Sequence, residues 1–312
     1  MTETARSAVQ VAKGRAARAE QRPARTAEIG RTGRRATIGD ALASVVAIVV
    51  ALIFFFPIYW AVSNSLRKPA ETFTVTGLGI PFINFTPTLE NWTQQFRVPE
   101  TYDAFLNSTV ISFSAVAIAL ALGLPAAYAL ARFRFFTVPN KDLTVWFLSQ
   151  RVLPPVATAV PFFIVFSSFN LLDTRLALIL VTATFILPFV VVICRQTFYD
   201  LPIELEEAAM VDGASHFDAF LRVALPLAMP AVAAAGLIMF AFAWNEYLFA
   251  VILTIKDAAT MPVHIAGGVD TRGVQFWFVA VRSLIAMIPP VLLALLAQRY
   301  IVRGLTLGAV KG

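Results

Sequence analysis

Long apolar runs restrict the folds open to this chain more than any other feature. Stretches at about 41–63, 105–131, 175–194, 229–254 and 279–301 carry few charges. They match the roughly 20 residues that a helix needs to cross a bilayer. Composition points the same way. Of the 312 residues, 58% are hydrophobic and only 14% are charged, whereas soluble globular domains carry roughly 25% charged residues. The mean hydropathy is +0.74. The chain reads as an all-α integral membrane protein.

Charge then sets an expected orientation. The net charge of +6 sits mostly in residues 1–40, where Arg6, Lys13, Arg15, Arg18, Arg22, Arg25, Arg31, Arg34 and Arg35 fall among Ala, Thr and Gly. No persistent apolar stripe runs through them, so the segment reads as a disordered or loosely helical cytoplasmic tail at an anionic surface. In a membrane protein such placement signals topology rather than nucleic acid. The run from Ala41 to Val62 is too long for a signal-peptide core and no small-residue cleavage site follows it, so it reads as an uncleaved span.

Residues 41–312 then divide into six expected spans, at about 41–63, 105–131, 143–169, 175–194, 229–254 and 279–301. The polar stretch 64–104, with Pro69, Pro81, Pro87 and Pro99, is expected outside, as are the turn at Asn170–Asp173 and the loop 255–278. Arg132, Arg134 and Lys141 mark an inner loop, and Arg299, Arg303 and Lys311 hold the C-terminus inside. Pro154-Pro155 and Pro161 interrupt the third span.

The polar island between the fourth and fifth spans, at about 195–228, contains LPIELEEAAMVDGASHFDAFLRVALPLAMP from Leu201 to Pro230. Its punctuation predicts two short helices joined by a sharp corner. Pro202 suits a first helical position, and Glu204, Glu206 and Glu207 suit the positive end of a helix dipole. Gly213 after Asp212 is the expected left-handed stop. Ser215 and Asp218 form a capping box for the second helix, which is expected to end near Leu225-Pro226. An acid-rich helix is repelled by an anionic leaflet, so the elbow is expected to meet a protein. Its acidity does not invert the topology, because Asp and Glu count little toward orientation.

Catalytic patterns are missing. The chain has no GxxxxGK[ST] phosphate loop, its two histidines, His216 and His264, form no HExxH pair, and no GxSxG occurs. Cys194 stands alone and offers neither a disulfide nor a metal cluster. No catalytic or metal residue is assigned, and a nucleotide-driven engine must reside in a separate subunit.

Glu207-Ala208-Ala209, with Asp212-Gly213-Ala214 beginning three residues later and Pro226 and Pro230 beyond, resembles the EAA loop of ABC-importer permease subunits. The wording is similar to the maltose-permease-like, carbohydrate-importing branch. FLNSTV from Phe105, AAYALARF from Ala126, WNEYLFAVILT from Trp244 and GAVKG from Gly308 extend the resemblance over about Leu42 to Gly312. It implies that the elbow is a coupling helix seated in an ATPase cleft. Glu206, Glu207, Ala208, Ala209, Asp212, Gly213, Ala214 and Pro226 would be its residues, Glu207 facing basic groups and the two alanines allowing close approach. It further implies two ATPase subunits holding ATP and Mg, with no cofactor in this chain. The other implied partners are an extracytoplasmic solute-binding protein and a second permease subunit, either a different chain or another copy. The implied location is a bacterial cytoplasmic (inner) membrane with both termini cytoplasmic.

Polar residues within spans are costly and usually face a cavity or a partner. Gln150 and Arg151 precede the proline break, where freed carbonyls need protein or water beside them; Arg151 could equally snorkel to phosphates. Trp244, Asn245 and Glu246, next to Tyr247, combine aromatic faces with hydrogen-bonding groups, as a sugar path requires, although aromatics also mark the membrane interface. The expected solute is a carbohydrate or polyol, with a glycoside or an anionic sugar also compatible. The rival class is an ion-driven secondary transporter. Such proteins often show inverted repeats and paired intramembrane acids, whereas no repeat is visible here and Glu246 is the only acid clearly inside a span.

Overall fold

The structure, a computed structural model, describes residues 38–75, 77–150, 152–270 and 273–309. The basic tail through residue 37, Arg151 and Lys311 lie outside the described residues. The chain divides into two units, 1–55 and 56–312. Described residues of the first unit are the leading part of helix α1 (Ile38–Ser65), which ends in the second.

Among the described residues, five helices are long and apolar enough to cross a membrane: Gly39–Ser65 within α1, α3 (Pro99–Arg132), α6 (Arg175–Asp200), α8 (His216–Trp244) and Phe276–Gln298 within α11 (Phe276–Ala309). Shorter helices complete the set: α2 (Glu90–Arg97), α4 (Asn140–Ser149), α5 (Pro155–Ser168), α7 (Glu204–Val211), α9 (Leu248–Leu253) and α10 (Met261–Ala266). A two-stranded hairpin, β1 (Val269–Asp270) with β2 (Gly273–Val274), is antiparallel and pairs Val269 with Val274.

Beyond shifts of a few residues at helix ends, three elements break or continue differently from the sequence expectation, each for a local reason. The stretch 143–169 is two helices, α4 and α5, because Pro155 holds Pro154 extended at ψ 125°; Pro161 sits inside α5 without ending it. The elbow's second helix does not stop at Leu225-Pro226 but runs on as α8. Pro226 lacks the N–H that a regular turn would require, and Phe220–Ala224 open into a π turn, with Leu225 N–H donating to Phe220 C=O. The expected span 229–254 breaks at Asn245–Tyr247 and restarts as α9.

The core of the second unit forms where α3 meets α6. Ala115, Ala119, Gly123 and Ala127 recur every four residues on one buried face of α3. A Cβ added to Gly123 would lie 2.7 Å from Val190 Cγ1 of α6, so the backbones approach closely through small residues, as in other membrane bundles. Ala228, Val232, Ala235 and Met239 of α8, with Val281 and Ile285 of α11, complete the cluster.

Candidate coupling elbow and transport cleft

The elbow follows α6 through Leu201. Its first helix starts at Glu204, so Pro202 lies just ahead of the N-cap Ile203 rather than in the first turn. At the other end Gly213 has φ +94°. Ala214 N–H donates to Ala209 C=O at 3.0 Å and Gly213 N–H to Met210 C=O at 3.0 Å, the paired closure of a Schellman stop. Ser215 then caps α8: Asp218 N–H donates to Ser215 Oγ at 3.1 Å, and Ser215 N–H to Asp218 Oδ2 at 3.4 Å. The corner is therefore fixed on both sides by its own hydrogen bonds.

The acids of α7 divide between two faces. Glu204, Glu207, Asp212 and Ala208 are exposed, Ala209 and Ala214 half-buried. Ile203, Leu205, Val211 and Phe217 are also exposed, giving a mixed apolar and acidic surface. Glu206 turns inward. Its Oε1 accepts from Arg132 Nε at 2.9 Å, Arg132 Nη2 lies 2.8 Å away, and Oε2 accepts from Tyr128 Oη at 2.6 Å. Glu206, one of the residues assigned to the coupling elbow, therefore faces α3 rather than the exposed side that carries Glu207, because about 100° of helix separates the two. Pro226 is exposed in the first half of α8, beside the π turn, and not at a helix end. In the sequence Arg132 stands out only as a topology marker and Tyr128 has no assigned role, although both lie in the AAYALARF stretch. Their i, i+4 spacing at the end of a span was the available signal.

A cleft of about 860 Å³ opens elsewhere in the second unit, lined by Trp146, Gln150, Phe162, Asn245, Glu246 and Tyr247 among others. Its volume falls within the usual range for small-molecule sites. The break between α8 and α9 brings Asn245 and Glu246 together with Gln150, the C-cap of α4. Glu246 already has work there: its carboxylate accepts from the N–H groups of Phe249 at 2.8 Å and Ala250 at 3.0 Å, holding the start of α9. Asn245 Nδ2 donates to Ala241 C=O at 2.8 Å. Trp244, expected on the path, lies in the core instead. It is 3% exposed, donates Nε1–H to Ala286 C=O at 3.0 Å and stacks on Phe240. A buried indole takes the partner its N–H needs, and this one lies on the α11 side.

The far end of α3 is closed by a second set of contacts. Asp173, at φ +58°, accepts from the backbone N–H groups of Ile255, Lys256, Asp257 and Ala258 at 3.0–3.2 Å. Burial pushes its carboxyl upward, but these four donors outweigh that and hold it below the usual carboxylate value. Asn107 of α3 donates to Asp257 and Ala259 C=O and accepts from Arg175 Nε at 2.7 Å. Beside it His264 Nε2 lies 3.0 Å from Thr101 Oγ1. Burial first, and the Arg282 guanidinium second, push the His264 imidazole down to about 4, against an opposing pull from Glu100.

The sequence and fold have relatives. A family model described as "Binding-protein-dependent transport system inner membrane component" matches residues 119–307. The chain is 38% identical over 285 residues to the trehalose transport system permease protein SugB of Mycobacterium tuberculosis, covering 89% of this chain and 99% of that one. It is 33% identical over 270 residues to the trehalose/maltose transport system permease protein MalG of Thermococcus litoralis, with coverage of 85% and 95%. Among solved structures, a chain of a bacterial ABC transporter involved in the import of the acidic polysaccharide alginate superposes with a TM-score of 0.71 at 21% identity, covering 85% of this chain and 98% of that chain.

Proposed function

The chain belongs to the family of binding-protein-dependent transport system inner membrane components, and from that premise we propose that it lines the path for a carbohydrate or polyol in an importer driven by separate ATPase subunits. The observation that carries this reading is the elbow, a hydrogen-bonded corner at Gly213 presenting Glu204, Glu207 and Asp212 beside exposed apolar residues. Such a surface suits a partner cleft that is basic at its rim and apolar inside. ATP and Mg would be held by two ATPase subunits, with none required in this chain. A second permease chain of different sequence and an extracytoplasmic binding protein complete the assembly. The elbow and both termini are then cytoplasmic.

The carbohydrate assignment draws on the relatives' names and on the cleft. Trp146 and Tyr247 offer aromatic faces near the amides of Gln150 and Asn245, and a sugar needs both kinds of surface. The rival, ion-driven reading would need paired acids within the spans, and Glu246 is the only acid clearly inside an expected one. That carboxylate is engaged in holding α9, which favours a structural role over ion coupling.

Uptake by sealed vesicles carrying the assembled importer separates the two. Import that requires internal ATP and survives an uncoupler supports the proposal; import abolished by the uncoupler with ATP present contradicts it. Mass spectrometry of the compound co-purifying with the binding protein identifies the solute, and a compound other than a carbohydrate or polyol would refute that part.

A further inference from the structure

Three side chains from two elements meet behind the elbow. Tyr128 and Arg132 lie one turn apart at the end of α3, and Glu206 comes from α7. The Arg132 and Glu206 side chains are only 9% and 4% exposed. Both carboxylate oxygens are occupied, one by the guanidinium and one by the Tyr128 hydroxyl at 2.6 Å. The same guanidinium donates through Nη2 to Leu201 C=O, the C-cap of α6, at 3.0 Å. The Tyr128 ring packs against Phe198 of α6 and Phe220 of the π turn in α8. One ionic contact therefore joins α3, α6 and α7, and one ring joins α3, α6 and α8.

We propose that Glu206, Arg132 and Tyr128 form a clasp that makes α7 move as one body with α3 and α6, so that a push on the elbow reaches the cleft. Glu206 is then a positioning residue, although it sits inside the motif whose exposed members meet the ATPase. The path to the cleft is short in the fold. Leu122 lies further along α3, and Phe185, Pro188 and Phe189 of α6 line the same cleft. A planar guanidinium reaches Glu206 and Leu201 C=O at once, a task that a lysine ammonium on its flexible stem performs poorly. The clasp rests on the coupling role proposed for the elbow, but assigns the transmission to residues set behind its exposed surface.

The test uses the whole importer in lipid nanodiscs, with Cys194→Ala and a reporter Leu122→Cys on the exposed cleft wall. The rate of labelling by a charged maleimide is read without nucleotide and after trapping with ATP and vanadate, so no solute is required. With the clasp intact the two rates should differ by at least about fivefold, the lower end of ordinary coupling between sites. Glu206→Ala should shrink the ratio below about twofold while the ATPase subunits co-purify in normal proportion. Arg132→Lys, which keeps the charge and decides the matter should Glu206→Ala not assemble, should bring the ratio to less than half of the wild-type value.

A wild-type ratio in the assembled Glu206→Ala or Arg132→Lys importer would overturn the proposal. So would loss of the ATPase subunits from an otherwise folded Glu206→Gln chain, because Glu206 would then be a contact residue. Gly213→Val separates the two levels. If it lowers the ratio while the clasp variants do not, the elbow couples without this clasp. A wild-type ratio in Gly213→Val, or no difference between the two states in the parent, removes the coupling role of the elbow itself.

Discussion

Glu206 and Asp173 stand near opposite ends of α3, and each carboxylate closes its end by a different device. Glu206 is held by side chains, the guanidinium of Arg132 and the hydroxyl of Tyr128. Asp173 is held by four successive backbone N–H groups of the loop at 255–258, and Asn107 and Arg175 tie the same loop to α3 and α6. Between Asn107 and Arg132, α3 extends about 38 Å at 1.5 Å per residue. A nest of backbone donors accepts almost any sequence that turns the same way, so it fixes a loop. A buried charge pair depends on two particular side chains and loses its function when either changes. The elbow end is therefore specified by chemistry and the far end by backbone shape.

The largest effect should come from Glu206→Ala, which leaves the Arg132 guanidinium buried without its counter-ion, a loss of about 3–5 kcal/mol where it is not solvated. Hydrogen exchange of the α7 amides should accelerate strongly, while those of α10 stay as they were. Equal acceleration at both ends would remove the distinction between them.

Asp173→Asn should cost less, about 1–3 kcal/mol, since the charge is lost but one oxygen still accepts from the loop. The increased exchange should be confined to 255–258. A spread into α7 would show that the two ends are not separable.

The smallest effect is a pH dependence at the far end. The folded-state value of His264, about 4, lies below the ordinary 6.5, so the unfolded loop binds the proton more readily. Local stability is full above pH 6.5 and falls as the pH drops toward 4. Exchange near α10 should quicken across that window, and His264→Asn should abolish the dependence. The Asp173 contribution has its own, lower window: it is present above the usual carboxylate value of about 4 and is lost as the pH falls through the depressed one. A fall in protection at the elbow between pH 6.5 and about 4, the His264 window, would contradict the comparison.

How much of this could be read beforehand depended on whether the signal was local. Apolar length marked the long helices, and Gly213 with Ser215-x-x-Asp218 marked the corner, because capping is decided within a few residues. Continuation of α8 past Pro226 was not legible, since a helix accommodates a proline by a π turn only when its neighbours hold it. Glu206 could not be separated from Glu207 without knowing which face of α7 meets α3. Trp244 misled for a related reason: aromatic and amide residues adjacent in sequence point to different sides of a helix, and only packing showed that the indole faces Ala286. Asp173 was legible only as the end of a turn, since its partners lie more than 80 residues away and are backbone.

The most direct test of the elbow is import by Gly213→Val. Beyond its two chain neighbours, no heavy atom lies within 4 Å of the position a Cβ would take, so steric room is not at issue. The backbone at φ +94° is, because a β-branched residue there costs about 1–3 kcal/mol and opens the corner. ATP-driven uptake into vesicles should fall to background, with normal amounts of the chain in the membrane and ATPase subunits no longer stimulated by loaded binding protein. Uptake at the parental rate with normal stimulation would contradict the account.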